Sequence, residues 1–288
     1  MVYTRKNQRD LTGAERRKFV AAVLELKRTG TYDRLVRTHI DHYSADGEGR
    51  LRVAHMTPSF LPWHRKFLLE FETALRRIDP TVSVPYWDWT RDNSPASSLW
   101  GEDFLGGNGR RADLQVMTGP FAHSAGRWTI TQSMTEERFL TRDFGRPRDP
   151  VALPTQAQLD EVMRERVYDV TPWNSTSASG FRNRLEGWAP GRGNERFRIH
   201  NRVHRWVGGL MLGGGSVNDP VFWLHHAFVD LVWSRWQQRN PGAAYLPAEP
   251  PPLGDAQYRK VVARHEPMAP WGVTPASMFD HSRIYRYA

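Results

Sequence analysis

Cysteine is absent from this chain, which removes disulfide bridges, thiolate metal ligands and a cysteine nucleophile together. Any metal must therefore sit on nitrogen or oxygen. Long apolar runs are lacking too: no stretch reaches the roughly 18 consecutive apolar residues of a membrane span. Met1 to Gly13 also holds no apolar core of the kind a secretory signal needs. The chain is therefore expected to stay in the cytoplasm unless something else carries it out. Charge of one sign is not concentrated either. The net charge is +9, yet Lys and Arg are scattered or form short groups such as Arg16-Arg17-Lys18, Arg76-Arg77 and Arg110-Arg111. Without a long basic run, a solvated cationic surface is expected, and neither nucleic acid nor a membrane is an expected partner.

Aromatic residues, by contrast, are plentiful. Twelve tryptophans and a hydrophobic content of 39% imply a ring-lined core and one large globular domain over residues 1–288. Helical patterns flank a turn-rich section from about Thr90 to Gly180, expected as long surface loops. Thr12 and Glu15 have capping-box spacing and open a helix with Phe19, Val20, Val23 and Leu24, stopping at Gly30. A second helix is expected over Tyr32 to His42, with Tyr32, Leu35, Val36 and His39 on one face. Pro62 suits the first turn of a third, whose buried stripe runs through His64, Phe67, Leu68, Phe71, Leu75 and Ile78. A fourth covers Ile199 to Trp206. In a fifth, Asn218 and Asp219 cap, Pro220 begins the first turn, and Phe222, His226, Val229, Trp233 and Trp236 share a stripe. Short strands are expected at Thr81 to Trp89, Val2 to Arg5 and Ile284 to Tyr287.

Five histidines thus occupy inward-facing helical positions: His39, His64, His200, His204 and His226. His55 lies just ahead of the third helix, within reach. One histidine on an apolar face is ordinarily a hydrogen-bonded core residue. Six are costly to bury unless each finds a partner, and a metal supplies that partner while keeping the ring neutral. An all-imidazole set suits copper, zinc or iron, and a histidine-only pair of sites favours copper. The zinc-hydrolase pattern His-Glu-x-x-His lacks its base here, because Asn201 follows His200.

Two segments carry a family resemblance. The first reads His55-Met56-Thr57-Pro58-Ser59-Phe60-Leu61-Pro62-Trp63-His64, preceded by His39. The second reads His200-Asn201-Arg202-Val203-His204-Arg205-Trp206-Val207-Gly208-Gly209, followed by Asn218-Asp219-Pro220-Val221-Phe222-Trp223-Leu224-His225-His226. On these motifs the chain resembles the bacterial tyrosinases, a family of type-3 copper proteins, over nearly its whole length. The resemblance implies a mainly α fold, a four-helix bundle housing a dicopper site with long loops and a few short β-strands. It implies that His39, His55 and His64 bind one copper ion, and His200, His204 and His226 the other. Dioxygen is then the co-substrate: monophenols such as tyrosine are hydroxylated at the ortho position, and o-diphenols are oxidised to o-quinones. Glu186 and Asn201 match positions thought to hold a water that takes the phenol proton. From its own surroundings in the sequence, Glu186 reads as a surface carboxylate. Arg205 matches a position at the pocket entrance, and Phe60 and Phe222 are expected around the ligand rings. A small helper protein for copper delivery and export is implied as a partner.

Other positions leave choices open. His42 competes with His39 as a ligand, and His39 is preferred. His225 should point about 100° away from His226 on a helix and is expected as a hydrogen-bonded neighbour. Asp230 is expected either to accept from a histidine ring or to form a surface salt bridge. Leu210 stands where related sequences often have glutamine. With the glycine run Gly213-Gly214-Gly215 it is expected to border the pocket, which leaves open an o-diphenol or o-aminophenol oxidase without monophenol hydroxylation. The chain ends soon after the expected domain, so no C-terminal plug is expected. An oxygen carrier would use the same six histidines but shield them, usually within far larger assemblies.

Overall fold

The computed structural model describes residues 2–288; of the domain expected over 1–288, only Met1 lies outside the described residues. Seven α-helices dominate the described residues: α1 (Gly13–Arg28), α2 (Thr31–His42), α3 (Phe60–Ile78), α4 (Gln156–Val162), α5 (Phe181–Glu186), α6 (Ile199–Val207) and α7 (Val221–Arg239). The helix α1 starts as its sequence dictates. The Thr12 hydroxyl accepts from the Glu15 N–H, and the Glu15 carboxylate accepts from the Thr12 N–H, so two orphan donors are satisfied together. Gly30, at φ +71°, then turns the chain directly into α2, a left-handed conformation that glycine adopts without strain.

Helix α3 begins at Phe60, which keeps Pro62 within the first turn, where its missing N–H leaves nothing unpaired; its stripe is buried as far as Leu75, but Ile78, at the helix end, is exposed. Asp219 caps α7 as expected, its carboxylate accepting from the Val221 N–H at 3.1 Å. Asn218 instead donates to the carbonyls of Gln132 and Gly215. Helix α7 is buried nearly all round, as befits a central helix. It packs on α3 through stacked rings, with Phe71 and Trp223 at 3.9 Å and 11°. The helices α2, α3, α6 and α7 form the bundle that carries the histidines.

Strands are few. β1 (Tyr3–Arg5) and β2 (Tyr285–Tyr287) pair in parallel, Tyr3 against Tyr285 and Arg5 against Tyr287. The expected strand at Thr81 to Trp89 does not form. Its backbone donors go elsewhere: Val84 to the Glu72 carboxylate, Tyr86 to the Lys6 carbonyl and Trp87 to the Leu224 carbonyl. Pro85 also has no N–H to give a ladder. The section from Thr90 to Gly180 is mostly loop, as expected, but it includes the short helix α4.

Asp230 corrects its expectation on both counts. It is buried, and it accepts from Arg65 Nε at 2.6 Å, Arg5 Nη1 at 3.2 Å and the hydroxyls of Tyr285 and Tyr287, each at 2.6 Å. Arg5 also pairs with Glu72 of α3. Strands β1 and β2 are thereby tied to α3 and α7 through a buried charged network. Among the described residues, no helix is long and apolar enough to cross a membrane.

Candidate metal centre

Each histidine reaches the centre for a local reason. Periodicity turns His39 of α2, His64 of α3 and His226 of α7 toward the core, and His200 and His204 sit one turn apart on α6. His55 lies on a loop that is fixed by side chains. Arg52 donates to the Met56 carbonyl at 3.0 Å and to Gln257 at 2.7 Å, Ser59 donates to the Val53 carbonyl, and the Met56 N–H donates to Glu186 at 2.6 Å.

The rings gather in two groups. His39, His55 and His64 have ring centres 4.9 to 5.8 Å apart. His200, His204 and His226 lie 4.6 to 5.6 Å apart. Within each group the nitrogen atoms come within 4.8 Å of one another. The groups adjoin, since His64 and His226 stack at 4.2 Å.

Backbone carbonyls orient the rings. A carbonyl only accepts, so Nδ1–H donates from His39 to Gly214 at 2.6 Å, from His64 to Phe60 at 2.9 Å and from His204 to Met211 at 2.8 Å. His200 Nδ1 faces the Glu186 carbonyl at 3.2 Å and Asn201 Oδ1 at 3.0 Å. The Nε2 atoms of His39, His64 and His204 are buried without a partner. Those of His200 and His226 face each other at 3.3 Å. Burial holds all six rings neutral, pushing His39 down to about 3 and His204 to about 4, and the rest well below the usual histidine range. Neutral imidazoles with free, converging lone pairs are the donor set of a nitrogen-bound metal, and the carbonyls behind them act as outer-shell anchors. The residues fit a histidine-held copper pair.

Two neighbours separate cleanly. His42 stays outside both groups, with Nδ1 donating to the Thr38 carbonyl. His225 corrects its expectation: both ring nitrogens are buried and unpartnered, and the ring stacks on His200 at 4.9 Å, joining the second group's nitrogens. Phe60 and Phe222 do flank the histidine rings, Phe60 at 4.8 Å from His64 and Phe222 at 4.1 Å from His226.

A cavity of about 200 Å³ opens over the rings, with His55, Met56, His200, Asn201, His204 and Arg205 in its wall. Asn201 presents an unpartnered Nδ2. Arg205 is half-buried, donating to Asn194 and pairing with Asp149 at 3.3 Å, its guanidinium 4.4 Å from the Phe197 ring. Leu210 corrects its expectation. It is buried beneath a separate 300 Å³ cavity, and the neighbours that reach the histidine cavity are Met211, Leu212 and Gly213.

Glu186 is not a surface carboxylate. It is fully buried at the end of α5, accepting from the Met56 N–H and, at 2.9 Å, from Arg182. Burial raises its carboxyl pKa, and Arg182 and the Met56 N–H only partly offset this. It stands behind the cavity wall, in contact with Met56 and, through its carbonyl, with His200.

Several contributors were not legible in the sequence. Trp188 and Tyr43 line the cavity, and Gly214 supplies the His39 acceptor. A Cβ at Gly214 would lie 2.6 Å from the Met134 sulfur and 3.1 Å from Tyr43, so glycine lets the backbone come close. The glycine run was the one signal available.

The model of the common central domain of tyrosinase matches residues 29–239. The chain is 52% identical over 284 residues to a tyrosinase of Streptomyces antibioticus, covering 98% of each chain. It is 42% identical over 318 residues to the grixazone synthase of Streptomyces griseus, covering 100% of this chain and 99% of that one. In fold it is similar to a polyphenol oxidase (mutant G292N) from Thermothelomyces thermophila, with TM-score 0.70 and 22% identity over 100% of this chain and 89% of the other.

Proposed function

The chain belongs to the tyrosinase family, and we propose that it uses two copper ions and dioxygen to hydroxylate monophenols at the ortho position and to oxidise o-diphenols to o-quinones. One observation carries this reading. Six neutral imidazoles in two adjoining groups, with converging nitrogens, lie under a cavity sized for a single aromatic ring. His39, His55 and His64 would hold one ion, and His200, His204 and His226 the other. A bound copper pair supplies the redox chemistry, for which a monophenol and dioxygen balance as o-quinone plus water.

The chain's own residues do the rest. The cavity orients one ring over the histidines. Asn201, with its free amide in the wall, helps to hold a water, and that water passes the phenol proton to Glu186, which stands behind the wall with a carboxyl made more basic by burial. Arg205 at the rim attracts the carboxylate of an amino-acid substrate, although Asp149 already shares its charge. Copper delivery and export by a small helper protein belong to the same reading; full copper loading of the chain expressed alone would count against the helper.

The test loads the protein with copper and compares rates on tyrosine, a catechol and an o-aminophenol. Oxidation of all three supports the reading. Turnover of the catechol and o-aminophenol with none of tyrosine would make it an o-diphenol and o-aminophenol oxidase, and no turnover of any would overturn it.

A further inference from the structure

A second cavity, larger than the one over the histidines, lies close to it. A cleft of about 920 Å³ lies on the other side of α6, bordered by Ser175–Ala178, by α4 and by the segment 188–191. Helix α6 is the partition. His200, Asn201, His204 and Arg205 face the histidine cavity, while Arg198, Ile199 and Arg202 face the cleft. Trp188 is a wall of both, so the two spaces are neighbours.

The cleft is strongly cationic. Arg184, Arg196, Arg198 and Arg202 line it against one acid, Glu161. Arg184 is neutralised by Glu165 at 2.7 Å. Arg202 donates to the Phe197 carbonyl and toward Gln158, both uncharged, and Arg196 lies 5.9 Å from the Trp188 ring. Among the described residues, Arg196, Arg198 and Arg202 have no carboxylate partner. Ser175, Thr176 and Ser177 add neutral polar groups, and Val162, Ala178, Pro190 and Ile199 add an apolar floor.

We propose that this cleft receives the acidic flank of a peptide whose tyrosine ring occupies the histidine cavity, so that the preferred substrates include tyrosyl peptides rich in Asp or Glu. The inference rests on the proposed phenol oxidation. The histidine cavity accommodates one ring and little more, whereas the adjoining cleft is several times larger and accepts chain. Extended peptide advances about 3.3–3.6 Å per residue, and Arg198 and Arg202 are one helical turn, roughly 5–6 Å, apart. With Trp188 common to both cavities, acids a few positions from the tyrosine are expected at the arginines. Arginine's fork binds carboxylates in bidentate fashion, and three unpaired cations in a concave wall concentrate anions.

The experiment uses the copper-loaded protein and capped peptides with a tyrosine flanked on each side by two glutamates or by two glutamines. The expected result is a KM at least about fivefold lower for the glutamate peptide at low salt, a gap that closes near 0.5 M salt as screening shortens. The double variant Arg196→Gln/Arg198→Gln should bring the KM ratio close to one, and Glu161→Gln should widen it. Because the glutamine peptide is the reference in every protein, loss of folded enzyme cancels from the ratio. Equal KM values in the unaltered protein, or a preference that survives in the double variant, would overturn the proposal. Calorimetry with phenylalanine in place of tyrosine gives a readout that needs no turnover. Acid-selective binding without oxidation of any phenol would sink the proposed function and keep the cleft. Phenol oxidation without acid selectivity would do the reverse.

Discussion

At the residue scale, neighbouring histidines on α7 provide the sharpest discrimination. His226 faces His200 nitrogen to nitrogen, whereas His225 stacks on that same ring with both nitrogens free. Replacing His226 with alanine should lower bound copper from about two ions to about one per chain and reduce phenol oxidation at least about a hundredfold. His225→Ala should retain both ions, as measured by metal analysis of the purified protein. Equal losses from the two variants would assign His225 as a ligand. Glu186→Gln keeps the shape behind the wall and leaves Arg182 its partner Asp169 at 2.7 Å. It should slow monophenol turnover by roughly 10²-fold or more and cost about 1–3 kcal/mol of stability, read by urea unfolding. Five of the six histidines were legible because helical periodicity alone turns them inward. The burial of Glu186 was not, since it follows from packing between α5, the His55 loop and Arg182, which are far apart in sequence.

Among the elements, α1 is a control for the site. It carries none of the six histidines, and its start depends on the Thr12 and Glu15 exchange. Thr12→Ala should cost about 1 kcal/mol, lowering the thermal midpoint by about 2–4 °C with copper content unchanged. A change in copper stoichiometry would contradict that separation. Long helices with caps and stripes were readable nearly to the residue. The short α5 was not, because six residues between Gly180 and Gly187 show too little periodicity for a stripe. Segment 81–89 failed for the opposite reason: its residue types favour a strand, but Glu72, Lys6 and Leu224 claim its backbone.

For the whole molecule, the buried network around Asp230 decides how the bundle responds to acid. Burial pushes the Asp230 carboxyl up, but Arg65 and Arg5 more than reverse this and hold it down to about 2. A carboxyl lowered from about 3.9 in the unfolded chain adds stability above roughly pH 4 and loses it as pH falls toward 2. A shift of that size corresponds to roughly 2–3 kcal/mol. Asp230→Asn should therefore unfold at lower urea than the unaltered protein at pH 6, and the difference should shrink by pH 3. A gap that stays constant with pH would exclude the ionised carboxylate as its source. The sequence offered Asp230 as a helix neighbour of His226, but its partners are Arg5, Arg65, Tyr285 and Tyr287, which no local spacing brings near it.

The pairing of β1 with β2 has a mechanical consequence. Because the two strands run the same way, a pull on the first strand's leading end against the second strand's trailing end loads every rung of the ladder simultaneously, in shear. Arg5, Tyr285 and Tyr287 all bond to Asp230 of α7, so such a force would also be passed to the helix that carries His226. Tension on appended tails would thus load the histidine-bearing bundle as well as the ladder.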